Sequence, residues 1–262
     1  MVAFETMRSF LFVPANRPER YTKAAAAGAD AVILDLEDAV PLTAKDEARE
    51  ALTTDFSKRL VLLRVNAVRT PWHDADTEYA RALPFDAIIL PKAEHALSVE
   101  RFASEVHKPV IALIESTIGL ANAREIAKAD GVARLAFGSV DFCADFGCQH
   151  KRDVLLPARF ELVLASRLAG IASPVDGVTV EVNERETAHS DARHARALGM
   201  SGKLCIHPKQ IEPVMSAFRP TEEEIRWARK VVESGDGAVS VDGAMVDEPV
   251  RISARAILAQ VA

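Results

Sequence analysis

The sequence predicts an α/β protein of the (β/α)8 TIM barrel class with a C-terminal appendage of helices and loops. Short β-branched runs alternate with Ala-, Leu-, Arg- and Glu-rich segments through most of the chain. The runs are apolar almost throughout, as expected of strands that are covered on both faces. Eight runs fit a closed barrel of about 250 residues better than an open sheet, and no glycine-rich nucleotide motif follows any of them.

The predicted strands and helices alternate along the chain. The strands are expected at 8–14, 31–38, 60–66, 86–92, 109–116, 133–139, 175–180 and 202–207. The helices between them are expected at 18–28, 44–52, 76–83, 98–106, 119–129, 156–170 and 184–199. Because each crossover helix returns the chain to the same end of the sheet, the strands are predicted to be parallel.

The tail begins after the eighth strand. Residues 208–218 could supply the last barrel helix, and 221–234 reads as a helix with Thr221 as N-cap and Glu224 at the third helical position. A Gly-rich ribbon at 235–250, with turn signals at Asp236-Gly237 and Asp242-Gly243, leads to a final helix at 252–260. We therefore predict a barrel over 1–219 and a lid or oligomerisation segment over 220–262, which covers its own barrel or reaches a neighbouring subunit.

Composition excludes several classes of protein. The net charge is −6 and no basic stripe is present, so nucleic acid is not an expected partner. The apolar runs fall far short of the about 20 residues that a membrane span needs, and the N-terminus lacks the features of a signal peptide. Three cysteines leave an odd count, and Cys143 is expected to be a small buried residue rather than a nucleophile. We expect a soluble cytoplasmic protein.

Charged side chains follow the strands at the end where barrel enzymes carry their sites. Glu115 after strand five and Asp141 after strand six form an oxygen-ligand pair that suits Mg²⁺, unless they are solvated acids or partners of Arg64. Arg64 ends strand three and could hold a substrate carboxylate or carbonyl, or else pair with Asp35 or Glu37. Lys92, after strand four, is expected to form a salt bridge with a strand-end acid.

Seven short motifs occur in a fixed order and spacing along the chain. They are RSFLFVPANRPER, VILDLEDAV, RVNA, ILPKAE, ALIES, FGSVDF and GKLCIHPKQI. In this order and spacing the chain resembles the HpcH/HpaI aldolase and citrate lyase β-subunit superfamily, particularly its citrate lyase β-subunit-like branch with malyl-CoA and citramalyl-CoA lyases. The resemblance implies that Glu115 and Asp141 bind Mg²⁺, that Arg64 contacts the substrate acid, and that Asp35 and Glu37 support Arg64 or a metal-bound water.

The chain departs from the family pattern in places. Val140 occupies the position before the metal aspartate, where many relatives carry an acid, and the chain is shorter than a typical malyl-CoA lyase. In relatives with a C-terminal lid, an aspartate of a segment like GAMVDEPV enters the neighbouring subunit's site as an acid/base. Asp247 matches that aspartate here, so the resemblance implies a shared site in a homo-oligomer, for which we expect a trimer.

The expected function is a lyase reaction. The chain is predicted to cleave a small 3-hydroxy-acid thioester, carried on CoA or an acyl carrier, to a 2-oxo acid and an acyl thioester with Mg²⁺ or Mn²⁺. Arg17, Arg20 and Lys23 could meet the phosphates of a CoA tail, or form a solvated helix face with Glu19. Two alternatives are a metal-dependent aldolase acting on free 4-hydroxy-2-oxo acids and a weakly catalytic CoA-binding subunit of a complex. The sequence leaves the acyl group and its carrier open.

Overall fold

Eight parallel strands close into a barrel within the first of two compact units, Met1–Ser216 and Ala217–Ala262. The computed structural model describes residues 6–235 and 237–261. Each strand pairs with the next in sequence, and the eighth pairs with the first. The strands are β1 Ser9–Pro14, β2 Ala31–Asp35, β3 Leu60–Arg64, β4 Ala87–Leu90, β5 Val110–Ile114, β6 Val132–Phe137, β7 Ala172–Asp176 and β8 Gly202–Cys205. The predicted (β/α)8 barrel is confirmed.

The helices surround this barrel and continue into the second unit. Those of the first unit are α1 Tyr21–Ala25, α2 Lys45–Glu50, α3 His73–Ala82, α4 Ala96–Val106, α5 Thr117–Ala121, α6 Ala123–Lys128, α7 Ser139–Phe146, α8 Leu156–Ala169 and α9 Arg185–Ala197. The helix α10 (Ile211–Phe218) runs across the boundary between the units, and α11 (Glu222–Glu233) and α12 (Glu248–Leu258) follow it. Among the residues that the structure describes, no helix is long and apolar enough to span a bilayer.

Several elements differ from their predicted bounds, among them the strand β7 and two of the predicted helices. The strand β7 covers Ala172–Asp176, whereas the sequence predicted 175–180. The helix predicted at 119–129 is two short helices that meet at Asn122, whose side-chain amide donates a hydrogen bond to the Glu94 carbonyl. The helix α12 begins at Glu248 instead of residue 252, because Asp247 caps it and Pro249 fits its first turn.

Alternate residues of the strands fill the barrel. The buried interior cluster takes Phe10, Ile33, Leu62, Ile89, Leu113 and Leu204 from six different strands. Side chains two residues apart on a strand point to the same face. Moving two residues from Ile33, Leu62 and Leu113 towards the carboxyl ends therefore reaches Asp35, Arg64 and Glu115. The regular alternation of the strands thus carries three charged side chains to the top of an apolar interior.

The second unit is a small helical unit with a hairpin. The capping box of α11 is confirmed, with the Thr221 hydroxyl accepting from the Glu224 N–H and the Glu224 carboxylate from the Thr221 N–H. The strands β9 (Val239–Val241) and β10 (Ala244–Val246) form an antiparallel hairpin, closed by Asp242 and Gly243 with φ of 48° and 81°. The other predicted turn includes Asp236, which lies outside the described residues. Buried residues that join the helices to the hairpin are Ala228, Val231, Val246 and Ala254.

Candidate active site

Asp35 and Arg64 occupy neighbouring positions at the ends of β2 and β3. The guanidinium donates from Nε to Asp35 Oδ1 and from Nη2 to Asp35 Oδ2, both at 2.7 Å. Its Cζ lies 4.7 Å from the centre of the Phe12 ring, so an aromatic side chain supports its face. Burial raises the pKa of Asp35, but Arg64 and the backbone N–H groups of Glu37 and Ala39 outweigh it and hold that pKa below the ordinary value.

Glu37 connects this pair to β4. Arg64 Nη1 lies 3.0 Å from Glu37 Oε2 as a charge contact, and Lys92 Nζ lies 3.1 Å from Glu37 Oε1, as the sequence predicted for Lys92. Burial and the carboxylates of Asp38 and Asp35 raise the pKa of Glu37, against the opposing effect of Arg64 and Lys92. Glu37 therefore shares a guanidinium with Asp35 and has one oxygen, Oε2, that accepts no hydrogen bond from a described residue.

Glu115 follows β5 and is almost completely buried, with 3% of its surface exposed. Its Oε1 accepts a hydrogen bond of 2.8 Å from the backbone N–H of Lys92, whose φ of 48° is unusual for a residue with a side chain. Its Oε2 is buried and accepts no hydrogen bond from any described residue. Burial raises the pKa of Glu115 to about 8, and the charges of Glu37 and Asp141 act in the same direction.

Gly138 makes room for that carboxylate. A β-carbon at this position would overlap both Cβ and Oε2 of Glu115. Gly138 directly follows β6, so the space for the Glu115 side chain comes from the neighbouring strand. Any larger residue would push Glu115 away from the barrel axis or strain the strand end.

Asp141 lies in the first turn of α7, a helix that the sequence did not predict. The sequence placed this residue at the end of strand six, whereas β6 ends at Phe137 and α7 begins at Ser139. Asp141 is half-buried, and its charge contributes to the raised pKa of Glu115. The two proposed metal ligands therefore lie at the same end of the barrel as the other strand-end charges. Together they form one charged cluster, which consists of Asp35, Glu37, Arg64, Lys92, Glu115 and Asp141.

This cluster fits a divalent cation of the Mg²⁺ type. A buried carboxylate oxygen without a hydrogen-bond donor is costly unless a cation or water satisfies it, and Glu115 Oε2 is such an atom. The described residues hold no group of three or more His, Cys, Asp or Glu side chains arranged around a metal. Two carboxylates with the other positions left to water and substrate are what Mg²⁺ commonly takes.

A buried network beneath Glu37 was not predicted. Lys45 Nζ donates to the carbonyls of Leu36 and Glu37 at 2.6 and 2.7 Å, and to Asn66 Oδ1 at 2.7 Å. Asn66 in turn donates to Asp76, which also pairs with Arg49. Lys45 begins the helix α2 and does not directly follow any strand in the sequence, so it has no strand-end signal. Only the packing of this helix against the segment after β2 could have revealed its role. The network fixes the backbone that carries Glu37.

A cavity of about 370 Å³ opens beside the charged cluster. It is lined by Glu37, Lys45, Asn66 and Lys92 together with the apolar side chains of Leu42 and Trp72. A larger cavity of about 560 Å³ lies between α3 and α4, with His73, Leu97 and Arg101 in its wall. Of these two cavities, only the smaller one is lined by charged residues of the strand ends, Glu37 and Lys92.

The other predicted site residues lie outside this cluster. Arg17 directly precedes the 3₁₀ turn Pro18–Arg20 that follows β1, and Arg20 ends this turn. Both arginines approach the Glu19 carboxylate, with Arg17 Nε at 2.6 Å from it. Lys23 is exposed on α1. Asp247 belongs to the second unit, where its Oδ1 accepts from the Val250 N–H at 3.4 Å and caps α12. Its helix-capping role was not expected from the sequence.

The fold and the strand-end charges define a TIM-barrel enzyme. The HpcH/HpaI aldolase/citrate lyase family model matches residues 8–208. The chain belongs to this family, and it is a lyase of the citrate lyase β-subunit-like type.

Named relatives match almost the whole chain. A citrate lyase subunit beta-like protein of Deinococcus radiodurans is 36% identical over 96% of this chain and 96% of its own length. A (3S)-malyl-CoA thioesterase of Cereibacter sphaeroides is 33% identical over 97% of this chain and 94% of its own. The crystal structure of CitE from Mycobacterium tuberculosis in complex with magnesium, acetoacetate and coenzyme A has a TM-score of 0.88 and 38% identity, and covers 97% of this chain and 98% of that one.

Proposed function

We propose that this protein is a Mg²⁺-dependent carbon–carbon lyase that cleaves a small 3-hydroxyacyl thioester to a 2-oxo acid and an acyl thioester. The single observation that carries the proposal is the buried, unpartnered Glu115 Oε2 in the same cluster as Arg64 and Asp141. The magnesium, acetoacetate and coenzyme A named for the similar CitE structure support it. The acyl group is of the malyl, citramalyl or citryl type, carried on CoA or an acyl carrier.

Glu115 and Asp141 are the proposed ligands of the metal. Bound Mg²⁺ supplies Lewis-acid polarisation of the substrate's oxygens, and Mn²⁺ meets the same oxygen ligands. Glu115 must lose its proton before it can act as a ligand, and the raised pKa near 8 makes this deprotonation part of metal binding. Gly138 keeps the space in which the carboxylate reaches its position.

Arg64 is the proposed contact for the acid portion of the substrate. Asp35 and Glu37 hold its guanidinium from two sides, so its direction is fixed before a ligand arrives. The positive charge stabilises the carbonyl oxygen that develops as the 2-oxo acid forms. Phe12 closes the underside of the guanidinium and keeps water away from that face.

A base is needed for the C3 hydroxyl proton. We propose that Asp247 of a neighbouring subunit accepts it, in a homotrimer whose C-terminal segment covers the next barrel. The C2–C3 bond then breaks, the C3–O pair becomes the carbonyl of the 2-oxo acid, and the bonding electrons pass to the thioester as an enolate. Protonation at carbon completes the acyl thioester. We propose a cytoplasmic location for this reaction.

We propose that the CoA or acyl-carrier portion of the substrate binds at the rim of the barrel. Arg17, Arg20 and Lys23 remain the proposed contacts of CoA phosphates, although Glu19 neutralises part of the charge of the two arginines. The cavity of about 370 Å³ beside Lys92 has the size and mixed lining of a small-ligand pocket, and we propose it for the part of the substrate next to the thioester.

Thioester hydrolysis is the second candidate. The 33% identical relative named (3S)-malyl-CoA thioesterase is the specific observation that favours it. In that reaction water attacks the thioester carbonyl, and the products are a free hydroxy acid and a thiol. The carbon–carbon bond stays intact, so the two reactions differ in the products that accumulate.

The deciding experiment is a panel of malyl-, citramalyl- and citryl-CoA, assayed for 2-oxo acid and free thiol separately, with Mg²⁺ and with EDTA. A lyase releases 2-oxo acid without free thiol, and a thioesterase does the reverse. We expect 2-oxo acid only with Mg²⁺, loss of activity in Glu115→Gln, and no change in Glu125→Gln, an exposed glutamate of α6. Activity that survives EDTA, or turnover of free 4-hydroxy-2-oxo acids alone, would refute the proposal.

A further inference from the structure

Two cysteine side chains meet at the C-terminal end of α7. The sulfur atoms of Cys143 and Cys148 lie 3.6 Å apart, with the Cys148 thiol donating to Cys143. Neither belongs to the charged cluster, and the reaction proposed above uses neither. The pair could not be predicted from the sequence, because the spacing of five residues matches no metal-binding or redox motif.

The helix end explains why the two thiols meet. Gly147 has a φ of 76°, and the backbone N–H groups of Gly147 and Cys148 both donate to the Cys143 carbonyl, at 2.9 and 3.1 Å. In this type of helix ending, the residue after the glycine packs against the residue five positions before it. Backbone hydrogen bonds therefore hold the two cysteines in contact.

The two thiols differ in access to solvent. Cys143 is 8% exposed, whereas Cys148 is half-buried next to the exposed residue Gln149. The third cysteine, Cys205, is fully buried in β8 with its thiol directed to the Lys203 carbonyl. An oxidant from solvent would reach Cys148 first, and Cys143 is the thiol within reach of it.

We propose that Cys143 and Cys148 form a reversible dithiol–disulfide site that is oxidised by peroxides. The Cys148 thiolate attacks one peroxide oxygen, the O–O bond breaks, and water leaves once the departing oxygen has been protonated. The Cys143 sulfur then attacks the sulfur of the resulting sulfenic acid, forms the S–S bond and displaces a second water. One hydrogen peroxide thus oxidises two thiols. The sulfur atoms must approach by about 1.5 Å to reach the usual bond length of about 2.05 Å.

The test is to treat the full-length protein with hydrogen peroxide and count thiols after denaturation. The count is expected to fall from three to one, with a mass loss of two hydrogen atoms and a crosslinked peptide that joins Cys143 to Cys148. Dithiothreitol should restore all three thiols. Cys205→Ser should form the same crosslink, because Cys205 takes no part.

Single substitutions distinguish the thiol that attacks the peroxide, Cys148, from the thiol that attacks the sulfenic acid, Cys143. Cys143→Ser should leave a sulfenic acid on Cys148 that a 1,3-diketone probe traps, while Cys148→Ser should keep both remaining thiols because they are buried. The proposal is overturned if the wild-type protein keeps three thiols under conditions that label Cys148 in Cys143→Ser. A crosslink that involves Cys205 or joins two chains would overturn it equally.

Discussion

Asp35 and Arg64 are direct partners in the register of β2 and β3, and two parallel hydrogen bonds of 2.7 Å join their side chains. A planar guanidinium can make this bidentate contact and still present Nη1 to a third group, which here is Glu37. Both partners are buried, so the pair is fixed within the barrel rather than mobile at its rim. The orientation of Arg64 is therefore a property of two adjacent strands.

Replacing Arg64 with Lys tests that orientation. The charge remains but the fork is lost, so turnover should fall by at least about tenfold, equivalent to about 1.4 kcal/mol. The control is Arg124→Lys, which breaks the same kind of bidentate pair with Glu161 on the surface and should leave kcat unchanged. Steady-state kinetics and circular dichroism of both variants provide the check. Equal kcat values in the two folded variants would assign Arg64 to structure alone.

Gly138→Ala should weaken metal binding. Its β-carbon would overlap the Glu115 carboxylate, and overpacking of this kind costs about 1–3 kcal/mol. The matched control is Gly202→Ala, whose β-carbon would crowd the Met7 carbonyl at 3.0 Å, away from Glu115. Gly138→Ala should lose Mg²⁺ affinity in isothermal titration, whereas Gly202→Ala should keep that affinity whatever its own effect on stability. Loss of affinity in both would show that the effect is not local.

The pKa of Glu115 predicts how stability depends on pH. Burial raises this pKa to about 8 from an ordinary value of 4.5, so between these pH values the folded metal-free protein binds more protons than the unfolded chain. Its free energy of unfolding should therefore fall as the pH rises from about 5 to about 8. Glu115→Gln should flatten this dependence, which thermal melts across the range would show.

Magnesium should oppose that trend. Because the metal competes with the proton on Glu115, its apparent affinity should increase towards pH 8. A concentration of about 100 times Kd stabilises by about 2.7 kcal/mol, so the Mg²⁺-induced rise in Tm at one fixed concentration should be larger at pH 8 than at pH 6. An equal rise at both pH values would contradict the assignment of Glu115 as a ligand.

Asp247→Asn separates a catalytic from a structural role for Asp247. Asparagine caps a helix about as well as aspartate, so α12 should stay intact while the base is lost. Asp247→Ala removes the cap as well and should cost about 1 kcal/mol. If neighbouring subunits share a site, mixing inactive Asp247→Asn with inactive Glu115→Ala chains should restore part of the activity. Verified mixed oligomers without any activity would leave Asp247 as a helix cap.

The barrel could be predicted because the alternation of strand and helix is repeated eight times. Local departures from this alternation could not be predicted. The strand β7 was placed three residues too late because Pro174 argues against a strand, and the β-branched run 178–180 looked like a better one. The register between β6 and β7 shifts at this place, and the irregularity accommodates the proline. The helix α7 was missed because it is short and its glycine cap lies within a segment that reads as a loop.

The same distinction holds for the site. The positions of Asp35, Arg64 and Glu115 could be predicted because these residues lie at or directly after the ends of strands, and parallel strands in a barrel bring their carboxyl ends together. Their roles in the reaction stay predictions. Lys45 and Gly138 could not be found in this way. The contribution of Lys45 depends on which loop lies above its helix, and that of Gly138 on the space beside a neighbouring strand. Both depend on contacts between segments distant in sequence.

The charges at the mouth of the barrel have a consequence for the sequence of binding events. Asp35, Glu37, Glu115 and Asp141 lie near Arg64 and Lys92, so one negative charge remains unbalanced while Glu115 holds its proton, and two remain once metal binding has displaced that proton. A carboxylate substrate would be repelled by this excess, whereas a dication cancels it. Productive encounters should therefore follow a compulsory order of addition, with the metal loaded before the acid, so that substrate would dissociate readily from the metal-free enzyme.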